Sequence, residues 1–67
     1  MLELYRKQFK DILNVRNKSK RTLLLSNLMS QMESYYQLSM NKERFELETD
    51  QAVKELYVQV AVTRVFK

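Results

Sequence analysis

The chain has 67 residues, no Gly, Pro, Cys or His, and a formal net charge of +4. That length sits near the lower limit for one hydrophobic core, and without Cys or His neither disulfides nor a structural zinc or iron–sulfur site can reinforce it. Oligomerisation is the staple that remains, so a homodimer is expected. Without Gly, phosphate-cradling loops are excluded and tight hairpin turns disfavoured. A chain lacking both breakers and rich in Leu, Met, Lys, Glu and Gln is biased to helix. No apolar run approaches the length of a membrane span, and the N-terminus is charged from Glu3 onward with no apolar signal segment. A single cytoplasmic domain over residues 1–67, with no cofactor and no membrane span, is therefore expected.

The first helix is expected over residues 1–16. Leu2, Tyr5, Phe9, Ile12 and Leu13 mark an apolar stripe, and Glu3–Lys7 and Lys7–Asp11 stand as opposite-charge pairs at helical spacing. Asn14 or Asn17 is placed to take the left-handed position that Gly would hold at its end. Leu4-Tyr5-Arg6 resembles the tripeptide of the mitochondrial LYR-motif assembly factors, which are also small three-helix proteins. The resemblance spans three residues and no more of the chain, and membership is not inferred from it.

Arg16-Asn17-Lys18-Ser19-Lys20-Arg21 is a short basic connection, which predicts an antiparallel hairpin between the first two helices. Ser19 or Thr22 is the expected N-cap of the second helix, which should run over residues 20–40. Lys20 and Arg21 at that end oppose the helix dipole. Along this helix Leu24, Leu25, Leu28, Met29, Met32, Tyr35 and Tyr36 form one apolar face. Ser26, Ser30 and Ser34 line the other, and Glu33 is the one formal charge between Leu23 and Met40. A solvated helix back normally carries many charges, so the serine row reads as a close-packing seam.

Asn41 is the expected N-cap of a third helix near residues 42–62, supported by the pairs Lys42–Glu46, Arg44–Glu48 and Asp50–Lys54. The alternation of Val58, Val60 and Val62 offers a competing arrangement, two N-terminal helices followed by a C-terminal β-strand or hairpin. As a helix, the segment past Gln59 is apolar nearly all round, with Val58, Val62, Val65 and Phe66 off the inward stripe, and such a patch implies an interface. The expected fold is thus all-α: a small three-helix antiparallel bundle, or a hairpin plus helix, with the second helix central and dimerisation completing it.

Residues 1–21 hold seven basic side chains against Glu3 and Asp11, whereas residues 41–56 hold three against five acidic ones. That asymmetry favours contact between the two regions, within a bundle or across a dimer. Arg16, Lys18, Lys20 and Arg21 are the candidate anion or nucleic-acid contacts, because phosphate neutralisation by Lys and Arg dominates nonspecific nucleic-acid affinity. Ser26, Ser30, Ser34, Val58, Val62 and Phe66 are the candidate oligomer or partner interface. Serine without a base is not an activated nucleophile, and the carboxylates Glu43, Glu46, Glu48 and Asp50 are interleaved with cations as on a solvated helix face. No catalytic, metal or cofactor residues are assigned. The expected function is a small non-enzymatic regulator or adaptor acting by helix-mediated contact with another protein, as a homodimer. The alternative is a nucleic-acid-binding module using the 16–21 turn.

Overall fold

A computed structural model describes residues 1–38 and 41–66, which form four helices and no strand. Helix α1 spans Leu2–Leu13, with Glu3 in its first turn, where a carboxylate complements the helix dipole. Glu3 pairs with Arg6 at 2.7 Å rather than with Lys7. The helix ends three residues earlier than expected. Asn14 stays right-handed at φ −87° and ψ −5°, and its N–H and that of Val15 tighten the last turn onto Asp11 and Ile12.

Helix α2 covers Lys18–Tyr36 and is capped by Asn17, not by Ser19 or Thr22. Extended backbone at Asn17 aims its Oδ1 at the N–H of Lys20, which donates at 2.9 Å. The left-handed position expected at Asn14 or Asn17 falls instead on Gln37, at φ 52° and ψ 49°, where α2 stops. There the N–H of Leu38 donates to the Glu33 carbonyl at 3.0 Å, and the Leu38 side chain packs on the core. This six-to-one closure with its apolar contact is what makes a left-handed residue tolerable. The last two residues of the expected helix, 39 and 40, lie outside the described residues.

Helix α3 covers Lys42–Glu48, with Asn41 as N-cap as expected, accepting from the Arg44 N–H at 3.1 Å. The single helix expected from 42 to 62 is divided. Thr49 is extended, and a fourth helix, α4, runs Gln51–Phe66. Asp50 explains the break: its Oδ1 accepts from the Ala52 N–H at 3.0 Å, a side-chain bond that competes with helix continuation. Lys54 then spans the gap, donating to the Glu46 carbonyl at 3.1 Å and pairing with its carboxylate at 3.2 Å, so it serves Glu46 rather than Asp50. Residues 57–66 are helical throughout, which overturns the strand alternative.

Packing directions follow from the side-chain contacts. Tyr5 near the start of α1 meets Tyr35 and Tyr36 at the end of α2, with ring centroids 6.1 and 6.0 Å apart. Glu33 and Ser26 of α2 meet Tyr57 and Arg64 of α4 respectively. Helix α2 is therefore antiparallel to both α1 and α4, and it is central, touching each more extensively than they touch one another. The core comprises Tyr5 and Ile12 of α1, Leu25, Leu28 and Met32 of α2, and Val53, Leu56 and Val60 of α4. Each such side chain contributes about 1.5–3 kcal/mol by leaving water, so these eight residues fix the bundle. No helix among the described residues is long and apolar enough to cross a membrane.

Candidate interaction surface

The basic turn divides into unequal parts. Arg16, Lys18 and Lys20 are exposed. Arg21 is half-buried and donates from Nη1 to the Val15 carbonyl at 2.9 Å, stitching the start of α2 to the end of α1. Asn17 occupies the Lys20 N–H. The turn thus presents three solvent-facing cations, with its fourth cation and one helix-start donor engaged in local structure.

Within one copy of the chain the serine row does not pack as one seam. Ser26 is half-buried, and its Oγ accepts from Arg64 Nη1 of α4 at 3.2 Å. Ser30 and Ser34 are exposed, beside the exposed Asn27 and Leu23. Glu33 is drawn inward and accepts from the Tyr57 hydroxyl at 2.5 Å. Burial first, and then that carboxylate, push the Tyr57 phenol up to about 12. The ring of Tyr57 also meets Phe45 of α3 with centroids 5.6 Å apart, so one side chain ties α2, α3 and α4 together. Past Lys20 the exposed face of α2 is consequently uncharged.

On α4 the inward row Val53, Leu56 and Val60 is buried, and the opposite side is apolar as well. Val58 is 46% exposed, Val62 48%, Val65 68% and Phe66 79%. Val58, Val62 and Val65 stand at i, i+4 and i+7, which places them on one helical face. The sequence-derived candidates Val58, Val62 and Phe66 thus share α4 and solvent, whereas Ser30 and Ser34 belong to a different helix and a different side of the bundle.

A groove between α1 and α4 completes this surface and was not foreseen from the sequence. It has a volume of about 380 Å³, with Phe9, Leu13, Ala52 and Leu56 along its length. Arg6 and Lys10 form its α1 rim, and Glu55 and Gln59 its α4 rim. The sequence signal was slight: Leu13 sits at the edge of the α1 stripe, on the side that also carries Arg6 and Lys10. That edge becomes a groove wall only because α1 and α4 both pack on α2 and meet each other over a small area. Among the described residues no cluster of His, Cys, Asp and Glu is placed to hold a metal ion. No protein family, curated protein or solved structure matches this chain.

Proposed function

We propose that this protein is a small non-enzymatic regulator or adaptor that works by helix-face contact with another protein, and that it does so as a homodimer. The observation that carries this reading is α4, buried along Val53, Leu56 and Val60 yet apolar on its opposite face at Val58, Val62, Val65 and Phe66. Contiguous exposed apolar surface of this kind marks an interaction site. The absence of His, Cys and Gly from the sequence supports a non-enzymatic role. Surface area points the same way. A folded monomer of 8.1 kDa is expected to expose about 4,500 Å², and this chain exposes 5,090 Å².

The test is a mass measurement by light scattering at low micromolar concentration, for which a dimer gives twice 8.1 kDa. A monomer under those conditions, together with an unaltered fold and partner binding in Ser30→Lys and Val62→Asp, would remove the basis for the reading.

A second reading, nucleic-acid binding through the 16–21 turn, is favoured by one observation: Arg16, Lys18 and Lys20 are all exposed within a single turn. It requires affinity that falls steeply with salt. Failure to bind either DNA or RNA at about 50 mM salt, the low end of the range where phosphate contacts are strong, eliminates it.

A further inference from the structure

Helix α4 carries two adjoining surfaces. One edge supplies Ala52, Leu56, Glu55 and Gln59 to the groove, and beside that edge stands the exposed row of Val58 and Val62. Because both lie on the same helix, a two-fold axis beside α4 sets the row of each copy over the groove of the other. Such a contact closes on itself. The two-fold axis lies parallel to α4, so the two α4 helices run side by side in the same direction at the centre and each α1 flanks both of them.

Charge selects the same arrangement. Arg6 and Lys10 line one rim of the groove and Glu55 the other. Among the described residues no ion pair spans it: Arg6 pairs with Glu3, and Glu55 accepts from Gln51. A second α4 entering the groove carries its own Glu55 beside its valine row, toward the Arg6 and Lys10 rim.

We infer that the occupant of the α1–α4 groove is a second copy of this chain, inserted through Val58 and Val62 of α4, with Glu55 of each copy opposite Arg6 and Lys10 of the other. This inference rests on the homodimer reading and adds its location and symmetry. Each copy offers the same groove and the same row, so both contacts form together.

The arrangement is tested by reversing charge on either side. Glu55→Lys alone places three cations at each contact, and Arg6→Glu with Lys10→Glu places three anions there. Either variant should raise the dimer dissociation constant at least about tenfold. Mixed one to one, they should form a heterodimer, because both of its contacts are then complementary. Sedimentation velocity at low salt reads the mass, and far-UV circular dichroism confirms that each variant stays helical. Glu55→Gln and Lys10→Gln weaken the same contacts without reversing them and serve if a reversed variant unfolds. A dimeric native chain whose variants dimerise equally well overturns the inference and leaves the homodimer standing. Variants that are monomeric alone and remain so when mixed overturn it as well. A native chain that is monomeric even at high micromolar concentration overturns both.

Discussion

Gln37 holds a left-handed backbone at the end of α2 without being glycine. A side chain there crowds the following carbonyl, at a cost of about 1–2 kcal/mol. Glycine removes that cost but gains freedom in the unfolded chain worth about 0.4–1 kcal/mol. Gln37→Gly should therefore raise unfolding free energy by about 0.5 kcal/mol in urea, whereas a β-branched residue at the same position should lower it. Tyr57, by contrast, stabilises the fold where Gln37 strains it. Its hydroxyl donates to the half-buried Glu33, and Tyr57→Phe should cost about 1–2 kcal/mol. The phenol is pushed from 10.0 to about 12 on folding. The folded state thus holds the proton more tightly, so this stabilisation is complete below pH 10 and declines as pH rises toward 12. Burial also raises Tyr36, in the same direction. Chemical denaturation below pH 10 and near pH 12 should show a smaller loss in Tyr57→Phe than in the native chain, and an equal loss would exclude Tyr57 as a source.

At the scale of the helix, the apolar stripes were legible, but of the ends only the Asn41 cap was. Stripe periodicity located α1 and α2 because Tyr5, Ile12, Leu25, Leu28 and Met32 all turn inward. The starts of α2, α3 and α4 are decided by single side-chain hydrogen bonds, and several residues nearby could make each one. Asn17 outcompeted Ser19 and Thr22 for the start of α2, and Asp50 divided a helix whose charge pairs suggested continuity. Arg44–Glu48 does form, at 3.4 Å, but wholly within α3. The groove was less legible still, since it depends on how far α1 and α4 stand apart, which no local pattern records. Knowing the true cap gives a sharper test of the basic turn. Lys20 is the third residue after the Asn17 cap, where a glutamate would complement the dipole and could reach back to the cap N–H. Lys20→Glu should raise stability by about 0.3–1 kcal/mol, the gain shrinking with salt. The same change should weaken any binding of nucleic acid. Stability and anion affinity moving in opposite directions would mean that the cation is retained for contact with a ligand, whereas a gain in stability with no nucleic acid bound by either chain would leave it a solvated charge.

The molecule as a whole is more open than its length requires. Its radius of gyration is 11.8 Å, against about 11 Å expected for 67 residues, and its surface exceeds expectation by about 600 Å². With eight buried core residues among those described, and no Cys or His in the sequence, part of its stability is expected from association. Association leaves a signature that a static contact does not, because dissociation into unfolded chains is favoured by dilution. Each tenfold dilution should remove about 1.4 kcal/mol per mole of dimer from the apparent stability, lowering the thermal midpoint. Val62→Asp alters a residue already half exposed, so it should leave the isolated bundle helical while placing a charge in the proposed contact. The native chain should then show a midpoint that rises with concentration, and Val62→Asp a lower midpoint that does not. If the native midpoint is flat over a hundredfold range centred on about 10 μM, the bundle is stable alone. The apolar face of α4 would then have to be explained by a partner other than a second copy.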